Sequence, residues 1–256
     1  MEKKTLFNVE KMKYITKFET TAAFETAEST LATPNVSLTQ DNMSVHYKPF
    51  VPETRVVVYY DIQNTSSPTT VCTNYDYSFK SMEIDGKDSV DITTQGDITY
   101  QFDSAGEHVI KYELNGLGVG TNAPLFYNLS TVKRVIIPNM FTSISGSAFY
   151  NCTSLTSIYI PSSITSIGDA AFSGCDSLAS IVIPNSVTSI GGHAFYNCTS
   201  LTSITVKATM PPTLDTRTGV FDNTNDCPIY VPSGSVDAYK AASGWSAYAS
   251  RIQAIP

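Results

Sequence analysis

The sequence has few charges, no cysteine pair of a recognisable kind and no long hydrophobic run. Charged residues make up 15% of the 256 residues, and the net charge is −7. An acidic chain without a basic cluster is a poor candidate for binding nucleic acid or an anionic membrane. No stretch reaches the roughly 20 apolar residues of a membrane-spanning helix. The five cysteines form no CxxC pair, which argues against a zinc ribbon or a redox motif.

Signals for export and for catalysis are also missing. The first residues lack the apolar stretch of a secretory signal, so the sequence predicts either a protein without an export signal or a chain whose signal is absent. No motif for nucleophilic catalysis, phosphate binding or metal binding is present. His46, His108 and His193 lie in three different segments. We therefore predict no enzyme activity, no catalytic residue, no metal ligand and no cofactor.

A period of 23 residues between residues 126 and 206 is the strongest signal in the sequence. Similar apolar residues recur in five columns, which are Phe149/Phe172/Phe195, Cys152/Cys175/Cys198, Leu155/Leu178/Leu201, Ile158/Ile181/Ile204 and Ile144/Ile167/Ile190. Ile-Pro pairs at 137–138, 160–161 and 183–184 keep the same spacing. One unit cannot bury its apolar side chains alone, so the units are predicted to stack as a solenoid.

Each unit has a direct structural interpretation. Ile158 and Ile160 are predicted to point inward from a short strand that Pro161 ends, because proline cannot donate a ladder hydrogen bond. Residues 170–172 suit a short helical turn on the opposite side. The shared phase predicts four parallel strands in one sheet, centred on residues 136, 159, 182 and 205 and extended by residues 229–231. The cysteine column is predicted to be reduced and buried.

The segments AFYNCTSLTSIYIPSSITSIGDAAFSGCDSLASIVIP and GGHAFYNCTSLTSITV resemble the BspA-like class of bacterial leucine-rich repeats. The resemblance implies a parallel strand stack with roles in adhesion or display, without catalysis or cofactor. We place this leucine-rich-repeat solenoid at residues 119–210. Residues 211–256 are predicted to form its capping region. The side chains expected to cover the end of the core are Val236, Tyr239, Trp245 and Tyr248.

The region before the repeats also has a β-rich sequence. Residues 55–62 are rich in β-formers, residues 84–87 predict a tight turn, and residues 98–102 and 108–114 alternate. The phrase YQFDSAGEHVIKYEL resembles the last two strands of an immunoglobulin-like or PKD-like domain. We therefore predict an immunoglobulin-like β-sandwich at residues 49–118, so the fold class is mainly β.

Residues 1–48 are predicted to form a small N-terminal α+β segment. It has a helix at residues 20–31 and a hairpin of residues 36–39 and 44–47. The stretch KYITKFETTAAFETAESTLATPNVSLTQDNMSVHYKP resembles N-terminal segments of phage and prophage structural proteins of gut anaerobes. The resemblance implies attachment to capsid or tail proteins. The alternative is that the apolar residues of this segment pack on the chain's own β-region.

The candidate binding residues are the outward positions of the predicted strands and the two cations on the first strand, namely Lys133, Arg134, Ile136, Tyr159, Val182 and Thr205. Solenoids often bind partners through such a face, and the expected partner is a host surface protein or a glycan. The alternative is a bare surface that tolerates any β-former. The sequence leaves a homo-oligomer open.

Two functions fit these features. The first is a phage virion structural, decoration or fibre protein that displays the repeats on the virion surface for adhesion. The second is a bacterial cell-surface adhesin whose signal peptide is absent from the chain.

Overall fold

The structure is a computed structural model, and it describes residues 35–38, 45–48, 55–74, 79–87, 89–114 and 125–256. The chain divides into two compact units, residues 1–53 and residues 54–256. In the first unit, strands β1 (Asn35–Leu38) and β2 (Val45–Lys48) pair antiparallel, which confirms the predicted hairpin. The helix predicted at residues 20–31 and the predicted start of the solenoid at residue 119 lie outside the described residues.

In the second unit, the described residues before the repeats form six strands, β3 (Val56–Ile62), β4 (Thr69–Thr73), β5 (Phe79–Ile84), β6 (Val90–Asp91), β7 (Asp97–Tyr100) and β8 (Gly106–Leu114). The tight turn after β5 is confirmed, because Asp85 and Gly86 have φ angles of 52° and 73°. Positive φ at two successive residues is the geometry of a type I′ turn, which asparagine, aspartate and glycine favour.

The repeats contribute ten further strands, which are β9 (Val132–Ile136), β10 (Ser143–Ile144), β11 (Ser157–Tyr159), β12 (Ser166–Ile167), β13 (Ser180–Ile183), β14 (Ser189–Ile190), β15 (Ser203–Val206), β16 (Thr213–Leu214), β17 (Ile229–Val231) and β18 (Ile252–Ala254). Every pairing among these ten strands is parallel. The two-residue strands β10, β12, β14 and β16 form a second ladder along the solenoid.

The sheet of the β-region continues into the repeats. Strand β3 pairs with β8 on one side and with β9 on the other, giving the order β11-β9-β3-β8-β5-β6. Strands β4 and β7 form a separate antiparallel ribbon. The predicted immunoglobulin-like sandwich is not confirmed. In an independent sandwich, this edge of β3 would be the end of the sheet. Here the first repeat strand, β9, pairs with that edge. Residues 54–256 accordingly form one compact unit.

The prediction of one continuous sheet of repeat strands is wrong. β9 and β11 belong to the sheet shared with the β-region, whereas β13, β15, β17 and β18 form a second sheet. At the break, the amide of Ala179 donates to the carbonyl of Thr156 at 3.5 Å, which is too long for a good ladder bond. The predicted helical turns are present only as tight turns. For example, the amide of Ser173 donates to the carbonyl of Ala170 three residues earlier.

A column of stacked phenylalanines fills the centre of the repeats. The five rings follow one another at centroid distances of 5.3–5.5 Å with interplanar angles of 11° or less, and they belong to Phe126, Phe149, Phe172, Phe195 and Phe221. Phe79 and Tyr112 of the β-region contact the first ring. The aromatic core is therefore continuous from the β-region to the end of the repeats.

The cysteine column lies beside the phenylalanines. Each thiol donates to the carbonyl of the phenylalanine 26 residues earlier, as Cys175 does to Phe149 at 3.1 Å. All five cysteines of the chain are free and buried, which confirms the prediction for Cys152, Cys175 and Cys198.

The C-terminal residues close the open end of the core as predicted. Helix α1 (Val236–Ala241) and a 3-10 turn (Trp245–Tyr248) place Tyr239, Trp245 and Tyr248 over Phe221 and its surroundings. Tyr239 and Trp245 are fully buried. The guanidinium of Arg251 adds hydrogen bonds to the carbonyls of residues 221 and 227. Polar and aromatic contacts together fix the cap on the last coil.

Candidate binding surfaces

The six predicted binding residues lie on strands, but the break between the two sheets separates them. Lys133, Arg134 and Ile136 are on β9 and Tyr159 is on β11, within the sheet shared with the β-region. The remaining two, Val182 and Thr205, lie side by side in register on the parallel strands β13 and β15 of the second sheet. The structure therefore brings the predicted residues together as two groups rather than as one row.

The two cations of the first group are engaged by acidic residues of the β-region. The ammonium of Lys133 lies 3.5 Å from a carboxylate oxygen of Asp61. The guanidinium of Arg134 lies 2.7 Å from a carboxylate oxygen of Glu107 and 4.2 Å from the centroid of the Tyr59 ring. Burial raises the pKa of Tyr59, and Arg134 opposes that shift. These cations stabilise the junction between β3, β8 and β9 and do not form a basic patch.

Tyr159 is one of the six predicted binding residues, but only 8% of it is exposed. It pairs with Ile136 across the strands, and Ile136 pairs with Val57 of β3, which is also buried. Alternation along β11 predicts the side of the sheet on which Tyr159 lies. It cannot predict how much of that side other segments cover.

The second group is larger than the sequence analysis predicted. Val182, Thr205, Tyr230 and Gln253 follow one another in register across β13, β15, β17 and β18. The first three are half-buried and Gln253 is exposed. Sequence reasoning missed Tyr230 although it lies between two buried residues, Ile229 and Val231, and alternation would have placed it on the outward face. We call these four residues the C-terminal strand face.

The turn side of the solenoid carries a different set of aromatic residues. Tyr127 and Tyr150 stack at 5.1 Å with an interplanar angle of 10°, and Tyr127 is 45% exposed. Ser173 occupies the next position of the column and is buried. Tyr196 follows it and packs edge-on against His193. The stacked pair at the first two coils is therefore separate from Tyr196.

The groups with potential chemistry are held in structural roles. Burial raises the pKa of Cys152 and of Cys198 to about 12, so their thiols stay protonated near neutral pH. The ring of His108 bonds to the Asp85 carboxylate at 2.7 Å and to the Ser104 carbonyl at 2.9 Å. Within the described residues, no group of three or more histidine, cysteine or acidic side chains could hold a metal ion. No helix in the same part of the chain is long and apolar enough to cross a membrane.

The repeat geometry agrees with a comparison against protein-family models. The model described as a BspA type leucine-rich repeat region with six copies matches residues 121–236. These residues are a BspA-type leucine-rich repeat region. The match extends beyond the regular 23-residue period, into the coil that contains Phe221 and the strand β17. The BspA-type repeats therefore include the irregular last coil.

Three solved structures are similar to the chain. A leucine-rich repeat protein from Bacteroides ovatus is 26% identical, and the match covers 54% of this chain and 36% of that one with a TM-score of 0.42. A leucine rich cell surface protein from Faecalibacterium prausnitzii is 30% identical over 51% of this chain and 33% of that one, with a TM-score of 0.42. A leucine-rich repeat protein of T. pallidum is 30% identical over 45% and 53%, with a TM-score of 0.41.

The chain therefore spans between about a third and about half of the length of these three proteins. No curated protein matches the chain.

Proposed function

We propose that the chain is a non-enzymatic recognition module of a bacterial surface protein, and that it binds its partner through the C-terminal strand face. The BspA-type repeat region carries this proposal, because its stacked parallel strands present side chains in a regular row. Successive strands are about 4.8 Å apart, so the four residues of the face span about 15 Å. This length suits contact with a host surface protein or an extended glycan.

The composition of this face supports recognition rather than charge steering. Val182, Thr205, Tyr230 and Gln253 combine apolar, hydroxyl, aromatic and amide groups without an ionised side chain. Tyrosine contributes much to binding surfaces because its rigid ring buries apolar area and its hydroxyl still hydrogen-bonds. The cations Lys133 and Arg134 lie on the sheet shared with the β-region, where acidic residues engage them.

The virion hypothesis has less support. It depends on the sequence of residues 1–48, of which the structure describes only the two strands of the hairpin. Attachment to capsid or tail proteins through that segment stays a prediction. The BspA-type repeats favour the bacterial cell surface. The similar Faecalibacterium protein is described as a leucine rich cell surface protein. Antibodies against the full chain should then label intact source bacteria without permeabilisation.

The binding proposal is tested by the adherence of beads that carry the full chain. The beads are offered to intact epithelial cells, immobilised mucin and bacterial cells, and bound beads are counted. The double variant Val182→Lys/Thr205→Lys places two charges on the strand face, and adherence should fall at least about tenfold because those charges must be desolvated on contact.

The matched control is Thr165→Lys/Thr188→Lys. It adds the same charge to exposed positions in adjacent coils next to the second ladder. Adherence of this control should equal that of the unmodified chain, with thermal melting used to verify that both variants are folded. Equal adherence of all three proteins would exclude the C-terminal strand face as the binding site.

A further inference from the structure

A polar groove of about 470 Å³ lies on the turn side of the molecule, between the β4–β7 ribbon and the first described coil of the repeats. Thr69, Thr70, Thr73 and Asp97 line it from the ribbon, and Tyr127 and Asn128 line it from the coil. Both walls belong to the compact unit of residues 54–256. The groove is separate from the C-terminal strand face, and its function does not depend on that proposal.

The aromatic wall of the groove is held in a fixed position. The ring of Tyr127 is 45% exposed and stacks at 5.1 Å on the ring of Tyr150. The next residue, Asn128, adopts a left-handed backbone with φ of 61°, and its amide donates to the carbonyl of Tyr150 at 2.7 Å. The side-chain amide of Asn151 donates to the side-chain oxygen of Asn128 at 2.5 Å. An exposed ring fixed in this way needs little ordering when a ligand stacks on it.

The opposite wall offers hydrogen-bonding groups. Asp97 is exposed, and one of its carboxylate oxygens accepts a bond from the Thr73 hydroxyl at 3.3 Å. A carboxylate has about four acceptor sites, so most of its capacity is available to a ligand. None of the described residues that line the groove is cationic. This arrangement favours a ligand that donates hydrogen bonds and disfavours an anion.

We propose that the groove binds a neutral, hexose-containing oligosaccharide. A pyranose ring has an apolar face of C–H bonds, which complements the negative face of the Tyr127 ring. Its neighbouring hydroxyls are donors for the carboxylate of Asp97. The threonine hydroxyls and the side-chain nitrogen of Asn128 provide further polar contacts. A peptide segment has fewer closely spaced hydrogen-bond donors than a pyranose ring, so it would satisfy the acceptors of this wall less well. Acidic sugars are repelled by Asp97 and by the net charge of the chain, −7.

The test is isothermal titration of the full chain with four neutral probes, namely cellohexaose, maltohexaose, mannohexaose and N-acetylchitohexaose, and with hexagalacturonic acid as an anionic probe. These four neutral probes distinguish cellulose-like, starch-like, mannan-like and chitin-like glycans. At least one neutral probe should bind, and hexagalacturonic acid should bind at least about tenfold more weakly than that probe.

Three variants locate the site. Tyr127→Ala should weaken the bound neutral probe by about tenfold or more, whereas Tyr127→Phe should retain most of the affinity because the ring is kept. Asp97→Ala should also weaken binding by about tenfold, and it changes an exposed residue away from the aromatic wall. Tyr196→Ala removes an exposed ring on the same side but outside the groove, and its affinity should equal that of the unmodified chain.

The proposal is overturned if no neutral probe binds at about 5 mM, or if binding survives both Tyr127→Ala and Asp97→Ala unchanged. A preference for the anionic probe would overturn it as well. Circular dichroism of each variant shows whether a loss of affinity reflects unfolding, and Asp97→Ala provides an independent answer if Tyr127→Ala does not fold.

Discussion

The stacked phenylalanine column makes a quantitative prediction at its central ring. Phe172 is fully buried, and its ring lies 5.3 Å from those of Phe149 and Phe195 with interplanar angles of 3° and 10°. Truncation of a buried phenylalanine to alanine costs about 3–5 kcal/mol. Aromatic pairs contribute about 0.5–1.5 kcal/mol each beyond area burial. Phe172→Leu keeps most of the apolar volume and loses both pairs, so it should cost about 1–3 kcal/mol.

The assay is urea unfolding followed by circular dichroism and by the fluorescence of Trp245, the one tryptophan of the chain. Tyr196→Leu is the control because that ring is 37% exposed, and its effect should stay within about 0.5 kcal/mol. A double-mutant cycle of Phe149→Leu with Phe172→Leu should give a coupling of about 0.5–1.5 kcal/mol. A loss below about 0.5 kcal/mol for Phe172→Leu, or no coupling in the cycle, would refute a contribution from ring stacking.

Three further predictions concern the backbone, the thiols and the cap. Gly168→Ala should lower the free energy of unfolding by about 1–3 kcal/mol or prevent folding, because the added Cβ would lie 2.4 Å from a backbone nitrogen of the preceding coil. The control is Gly234→Ala, whose added Cβ meets nothing within 4 Å, and it should be neutral in the same urea assay. Near pH 8, a thiol reagent should label no cysteine of the native chain and all five cysteines after unfolding without reductant. The reason is that all five are buried and that burial raises the pKa of Cys152 and Cys198 to about 12. Rapid labelling of the native chain would contradict this prediction. Arg251→Ala should lower the free energy of unfolding in urea by about 2–4 kcal/mol, because it leaves hydrogen-bond acceptors of the last coil without their donor. An unchanged urea midpoint would show that the cap does not depend on these bonds.

The sequence was sufficient where the structure repeats itself. The columns that contain Phe172, Cys175 and Ile181 occur in several consecutive units, so the parallel strands, the buried side chains and the reduced cysteines could be predicted. The ladder of two-residue strands such as Ser166–Ile167 was missed, because two residues are too few to show alternation. Phe221 was missed because it follows Phe195 by 26 residues rather than 23.

The remaining features depend on contacts between distant parts of the chain. The pairing of β3 with β9 joins segments more than 70 residues apart, and neither strand carries a local sign of its partner. For the same reason the sequence could not show that Arg134 is engaged by Glu107 or that Tyr159 is largely covered. Strand alternation therefore predicted candidate positions, and only the tertiary structure could separate the residues of the C-terminal strand face from those of the junction with the β-region.

The account depends on the continuation of the β-region sheet into the BspA-type repeats, and a designed crosslink tests this most directly. Val57 and Ile136 are opposite each other in the antiparallel pairing of β3 and β9. Opposed residues in such a pair have Cα atoms about 4.5–5.5 Å apart, within the range of a disulfide. In the full chain with Val57→Cys and Ile136→Cys, mild oxidation followed by mass spectrometry of a non-reduced digest should recover the 57–136 crosslink in high yield. The shifted pair Val57→Cys with Arg134→Cys should give little crosslink, and a result in which the first pair does not crosslink, or the shifted pair crosslinks better, would contradict the shared sheet.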